Sequence, residues 1–161
     1  MAGPDRIEEI RNEVTALARR VPNAKELMQE MVKVLHERML KYNWVGFYML
    51  EPGAQPPMLV LGAFEGAMTP HTRIPLNQGI CGAAASSGQT VVVDDVGKDP
   101  RYLACSLETK SEIVVPVFVN GKVVGELDID SHFSAAFTPE HQALVQHCAQ
   151  LVGKKLEASA P

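Results

Sequence analysis

Apolar residues recur every three or four positions near both ends of the chain, which is the spacing of an amphipathic helix. This pattern predicts a helix over Pro4–Arg20 and a second over Asn23–Tyr42, joined by RVPN. The stretch FTPEHQALVQHCAQLVGKKLE predicts a last helix that ends at about Glu157, because Thr138 suits an N-cap and Pro139 suits the first helical position.

In the middle of the chain the hydrophobic period changes to two, which is typical of strands. WVGFYML and MLVLGAF predict two strands joined by the turn-rich EPGAQPP. EIVVPVFV and KVVGELDID predict another hairpin, because they flank Asn120-Gly121, the strongest short hairpin signal in the chain. Between the hairpins, RIPLNQGICGAAASSGQTVVVDD predicts a short strand, a glycine-flanked turn, a small-residue helix over Cys81–Ser87 and a strand over Thr90–Asp94.

Strands in the middle and helices at both ends predict an α+β fold, a mostly antiparallel sheet with the N- and C-terminal helices packed on one face. The 161 residues suffice for one domain that folds alone. We therefore expect a single domain over 1–161, with an N-terminal helix in 1–22 and a frayed tail at 158–161.

Composition narrows the class of protein. A hydrophobic fraction of 46% and a charged fraction of 21% are typical of a soluble globular domain, and a net charge of -4 provides no basic surface for nucleic acid. The first residues, MAGPDRIEEIRNE, lack the apolar segment of a signal peptide, and no window is apolar enough to span a membrane. We expect a cytoplasmic protein with neither nucleic acid nor membrane as a partner.

The three cysteines favour reduced thiols, because their number is odd and no CxxC motif is present to indicate a zinc knuckle. Cys148 falls on the apolar side of the last helix and is predicted to be a core residue. Cys81 opens a predicted helix, so it is either a packed small residue or a thiolate favoured by the helix N-terminus. Cys105 lies in the irregular, polar DVGKDPRYLACSLETKS, which favours a functional role.

Three acids alternate along one predicted strand. Glu126, Asp128 and Asp130 share one face of GELDID, whereas Leu127 and Ile129 share the other. Carboxylates this close raise one another's pKa unless a metal ion or a ligand ammonium group lies between them. The alternative is an ordinary solvated outer face of an antiparallel strand.

Further residues support a site near one end of the sheet. Glu112 opens the partner strand of the Asn-Gly hairpin, and Trp44 and Tyr48 share a face with Gly46 between them, which leaves room for a small molecule. A thiol, several acids and an aromatic wall suit a small ligand with a positive group and a centre open to thiol attack. Three histidines show no metal-ligand spacing and are predicted to be surface or packing residues: His36, His132 and His141.

The strings NWVGFY, GICGAAA, ACSLETKSEIVVPV, GELDIDS and FTPEH resemble the free methionine-(R)-sulfoxide reductase family, small single GAF domains. The resemblance covers the chain from about Lys25 to Leu156, and SEIVVP and LDIDS are narrower signatures than a general GAF match. It implies a GAF fold, a homodimer, no cofactor, and free methionine sulfoxide or a similar small zwitterion as substrate.

The resemblance also implies a mechanism. The Cys105 thiolate attacks the sulfoxide sulfur while Glu112 protonates the departing oxygen, which releases methionine and leaves a sulfenic acid. A resolving thiol then forms a disulfide that thioredoxin reduces. Carried over by motif, Cys81 is a second cysteine of the family, and Asp128 and Asp130 bind the amino group of the substrate. Trp44 and Tyr48 form an aromatic wall, and backbone amides near Ser111 receive the carboxylate.

Two departures from the family keep other functions open. His71 stands where the family often has a cysteine ten residues before Cys81, and Ser106 follows Cys105 where the family often has an acid. The usual resolving thiol is then replaced by Cys81 or by an external thiol. One alternative is a transition-metal site of His71, Cys81 and Cys105 in an enzyme for another small amino-acid-like substrate. The other is a non-enzymatic GAF sensor of a small ligand.

Overall fold

The computed structural model describes residues 4–102 and 108–159. Its main helices and strands, numbered in chain order, are α1 Pro4–Arg20, α2 Ala24–Arg38, β1 Trp44–Leu50, β2 Met58–Glu65, β3 Arg73–Pro75, α3 Gly79–Ser87, β4 Val91–Val93, β5 Ser111–Val119, β6 Lys122–Ser131 and α4 Pro139–Ser159. A short 3₁₀ helix follows β4 at Val96–Lys98.

The strands form one six-stranded sheet in the order β3-β2-β1-β6-β5-β4, and every pairing is antiparallel. β1 and β2 form the first predicted hairpin, and β5 and β6 form the second. Asn120 and Gly121 both have left-handed φ angles, 50° and 78°, as a two-residue hairpin turn requires. The expected α+β class and the antiparallel sheet are therefore confirmed.

The terminal helices cover one face of the sheet, as predicted. α2 and α4 contact the strands directly, and α1 packs against α2 and α4. Cys148 of α4 is fully buried here, which confirms it as a core residue. The largest fully buried side chains of this core are Tyr42, Phe47, Ile10, Leu27, Met31, Leu35, Met39, Ile113, Leu127, Ile129 and Leu144.

The opposite face of the sheet is also covered. α3 packs on β5 and β6, and a second apolar cluster forms around it from residues such as Ile80, Ala84 and Val114. Because both faces are covered, the acids of β5 and β6 are enclosed.

Some boundaries differ from the predicted ones. α2 ends at Arg38, where the Arg6 guanidinium donates to the Arg38 carbonyl (Nη2 to O, 2.8 Å) and satisfies the helix end. α3 begins at Gly79 rather than Cys81. α4 begins at Pro139 as predicted but continues to Ser159, so residues 158 and 159 of the expected frayed tail are helical.

In the described part of the chain, none of the helices combines the length and the apolar character needed to cross a membrane.

Candidate active site

Strand pairing places the acids and aromatic residues in three rows on the sheet face beneath α3. Residues directly opposite one another in antiparallel strands share a face. From the end of the sheet inward, the rows are Trp44, Asp130 and Glu112; Gly46, Asp128 and Val114; and Tyr48, Glu126 and Pro116.

All four acids in these rows are buried. Their residues expose 5% or less of their surface: Glu112 5%, Asp128 3%, Asp130 3% and Glu126 0%. The alternative of a solvated strand face is therefore wrong, because α3 covers the face that an isolated hairpin would expose. Leu127 and Ile129 point to the helical core, as the alternation predicted.

Cys81 brings a thiol over the acids. It lies in the first turn of α3, and its Sγ donates a hydrogen bond to Asp128 Oδ2 at 3.4 Å. Burial, followed by the nearby charges of Asp128, Glu126 and Glu112, raises the pKa of the Cys81 thiol well above its usual value. Burial and the acids therefore oppose the thiolate that a helix N-terminus favours.

The surroundings of Glu112 favour the protonated form of its carboxyl group. Burial, and then the charges of Asp128 and Asp130, raise the pKa of Glu112 well above its usual value. Burial also raises the pKa of Asp128, against the opposing effect of hydrogen bonds from Glu112 and Cys81. A neutral Glu112 beside a carboxylate is a candidate general acid.

Glu126 is the acid to which the sequence assigned no role. Neither carboxyl oxygen has a hydrogen-bond partner of ordinary geometry among the described residues. The Cys81 thiol is nevertheless close enough for the two groups to affect each other's pKa, and burial raises the pKa of Glu126 well above its usual value. The alternation in GELDID contained the signal, since Glu126 shares its face with Asp128.

The aromatic pair on β1 forms a wall, but Gly46 does not leave room for a ligand. The rings of Trp44 and Tyr48 have centroids 6.2 Å apart, and Trp44 also stacks on Phe64. A Cβ on Gly46 would lie 2.4 Å from the Trp44 ring, so the indole itself occupies the space above the glycine.

The predicted site residues divide between two neighbouring cavities, which adjoin the segment between β2 and β3. The first cavity is lined by Tyr48, His71, Ile74, Gly79, Ile80, Cys81, Glu112 and Asp128. The second is lined by Asn43, Trp44, Ala67, Met68, Thr69, Thr109, Asp130 and His132.

Ser111 lines neither of these cavities. The Ser111 hydroxyl donates to the Phe133 carbonyl (2.6 Å) and accepts from the Ala136 N–H (3.3 Å). These bonds occupy its side chain away from the acids, and the use of backbone amides near Ser111 stays a prediction. Cys105, predicted to be the catalytic cysteine, lies outside the described residues.

Cys81, from the predicted metal site, belongs to a group of described residues that could hold a metal ion. Within the described ranges, Cys81, Glu112 and Asp128 offer ligand atoms that all lie within 4.8 Å of one another, and His71 lines the same cavity without belonging to this group. The three histidines predicted to have packing or surface roles have contacts of that kind: His36 contacts the Tyr42 carbonyl, His141 the Tyr42 hydroxyl, and His132 the Glu108 carboxylate.

Proteins similar to this chain include free methionine-R-sulfoxide reductases. A family model of the GAF domain matches residues 23–156. The free methionine-R-sulfoxide reductase of Escherichia coli K12 is 41% identical over 119 residues, which are 73% of this chain and 69% of that protein. The free methionine-R-sulfoxide reductase of Saccharomyces cerevisiae is 38% identical over 82% of this chain and 71% of its own. The X-ray structure of the Neisseria meningitidis enzyme in complex with its substrate has a TM-score of 0.89 and 34% identity, covering 99% of this chain and 94% of that one.

Proposed function

This chain belongs to the free methionine-R-sulfoxide reductase family of oxidoreductases, and we propose that it reduces free L-methionine-(R)-sulfoxide to methionine with cysteine thiols. The observation that carries this proposal is the first cavity, in which a buried thiol, two buried carboxyl groups and an aromatic hydroxyl meet. Such a lining suits a small amino acid that brings its own ammonium group.

The ammonium group of the substrate would bind the strand acids. Asp128 supports this, because its Oδ1 atom has no hydrogen-bond partner in the part of the chain that the structure describes. An ammonium group would neutralise the carboxylate and satisfy this atom. Asp130 lies next along the same face and would assist, while Trp44 and Tyr48 provide the aromatic wall for the side chain.

In the chemical step, the Cys105 thiolate would attack the sulfoxide sulfur and Glu112 would protonate the departing oxygen. The oxygen passes to the Cys105 sulfur as a sulfenic acid, so the cysteine is oxidised by two electrons and the substrate sulfur is reduced by two. The raised pKa of Glu112 supports its role, because a carboxyl group must keep its proton near neutral pH in order to donate it.

The second half of the cycle needs another thiol. We propose that Cys81 attacks the Cys105 sulfenic acid, which forms a disulfide and releases water, and that thioredoxin then reduces the disulfide. The hydrogen bond from Cys81 to Asp128 supports this step, since the carboxylate offers an acceptor for the thiol proton. By the family's example we also propose a homodimer, which light scattering after size exclusion tests, in a reducing, cytoplasmic compartment.

The experiment that tests the function is thioredoxin-coupled NADPH oxidation with free L-methionine-(R)-sulfoxide. We expect turnover by the native protein and none by Cys105→Ser. Cys148→Ser is the matched control, because Cys148 is buried in the helical core, and it should retain turnover. Absence of turnover in the native protein would contradict the reductase function and favour a ligand sensor.

A metal-dependent reaction is the second candidate, and the group of Cys81, Glu112 and Asp128 favours it. Thiolate and carboxylate ligands suit zinc, with His71 or Cys105 as further ligands. Turnover that is lost with a chelator and restored by zinc would support this candidate. Equal turnover before and after chelation would exclude it.

A further inference from the structure

Most of the polar residues that line the first cavity carry acidic groups. Cys81, Glu112 and Asp128 are a thiol and two carboxyl groups, and the Tyr48 hydroxyl donates its hydrogen to the His71 carbonyl (2.7 Å). Among the described lining residues, His71 is the one whose side chain is a base. A zwitterion bound to Asp128 by its ammonium group must also place its carboxylate, which an ionised Asp128 repels.

The segment that carries His71 is fixed against the aromatic wall. Trp44 Nε1 donates to the Ala67 carbonyl at 3.0 Å, and the Tyr48 hydroxyl holds the His71 carbonyl. Gly66 opens the segment with a φ of 124°, and a Cβ there would lie 2.8 Å from the Trp44 ring. The segment is thus tied to β1 at Ala67 and at His71, which keeps His71 at the wall of the first cavity.

We propose that His71 binds the α-carboxylate of the substrate by donating an imidazole N–H, in the same cavity as the ammonium site at Asp128. This inference rests on the proposed function and adds a specificity-determining residue to it. The Ser111 hydroxyl is already committed to Phe133 and Ala136 and is not available for this role. A residue that requires a carboxylate favours the free amino acid over a residue within a peptide.

The test compares two ligands in a protein that cannot consume them. In a Cys105→Ser background, calorimetry measures binding of methionine-(R)-sulfoxide and of its carboxamide, at a pH where both amino groups are charged. We expect His71→Ala to weaken binding of the sulfoxide about tenfold or more and that of the carboxamide less than about twofold. His71→Asn keeps an N–H donor and should recover part of the loss, while thermal unfolding verifies that each variant is folded.

His147→Ala is the matched control, because His147 lies on α4, on the opposite face of the sheet, where its ring contacts the Thr15 hydroxyl. It should change the binding of neither ligand. If His71→Ala weakens binding of both ligands equally, His71 has only a structural role. If it weakens binding of neither ligand, the carboxylate binds elsewhere, and the amides near Ser111 become the candidate. A separate variant, His132→Ala, probes the second cavity, and a loss selective for the sulfoxide in this variant would assign the carboxylate to His132 instead of His71. If the Cys105→Ser protein binds neither ligand, the proposed function itself fails, which is distinct from failure of the His71 role.

Discussion

Asp128 shows how much of the site depends on one residue. It accepts a hydrogen bond from Cys81, its row on the sheet lies between those of Glu112 and Glu126, and it is 3% exposed. A carboxylate in this position is costly for the empty protein, because burial opposes its charge. The cost is offset when a ligand supplies a positive group. Residues that lower the stability of the protein without ligand in this way are expected at binding sites.

Replacement of Asp128 by Asn should therefore affect binding far more than folding. We expect KM for methionine-(R)-sulfoxide to rise about tenfold or more, because a hydrogen bond to a charged group is lost. The melting temperature should stay equal or rise, since a buried charge is removed. Asp94→Asn is the control, because Asp94 is an exposed acid after β4, and it should leave KM unchanged. An unchanged KM in Asp128→Asn would contradict the ammonium role.

At the scale of elements, the sequence predicted the β5–β6 hairpin best, because the period-two pattern and the Asn-Gly turn agree. It did not decide whether the polar face of this hairpin is buried. That depends on α3, whose small residues carry little periodic signal and whose position is fixed by contacts distant in sequence. The same lack of tertiary information explains why the sequence leaves two alternatives for Cys81, a packed small residue or a thiolate at a helix end.

Helix α4 should make stability sensitive to acid. His141 on α4 bonds the buried Tyr42 hydroxyl (Nδ1 to Oη, 2.7 Å), and burial, followed by the charge of Lys41, lowers the pKa of His141. As the pH falls below about 6.5, His141 therefore takes up a proton in the unfolded chain before it does so in the folded protein. The free energy of unfolding decreases over that range.

We expect His141→Asn, which keeps a polar atom near Tyr42, to weaken this acid dependence. Denaturant unfolding between pH 7 and 5 measures it, and one such group changes the free energy of unfolding by at most about 1.4 kcal/mol per pH unit. His147 should preserve part of the dependence, because burial also lowers its pKa. Identical pH profiles for the native and variant proteins would count against the assignment to His141.

In the molecule as a whole, the two faces of the sheet have different roles, one in stability and the other in the candidate site. One face buries apolar side chains against α1, α2 and α4, and the other buries acids and a thiol beneath α3. Stability is expected to come from the first face, while the second reduces stability for the sake of binding and chemistry. Glu126 is the most direct test of this division, because it is fully buried and its oxygens have no ordinary hydrogen-bond partner in the described chain.

Glu126→Leu should stabilise the protein, by about 1–3 kcal/mol near neutral pH, because an unsatisfied buried polar group is replaced by an apolar one. The folded pKa of Glu126 is raised, so the folded state holds a proton that the unfolded chain releases above its usual value of 4.5. Its contribution to stability is then present below that pH and is lost as the pH rises toward the folded pKa. The gain in stability of Glu126→Leu should accordingly be larger at pH 8 than at pH 5, as denaturant unfolding measures.

Two control variants separate the charge from the burial. Glu126→Gln should remove the same pH dependence without the full gain in stability, since a buried amide still needs hydrogen-bond partners. The exposed Glu37→Gln should do neither. A loss of stability in Glu126→Leu at pH 8 would mean that Glu126 supports the fold, and the division between the two faces would be wrong.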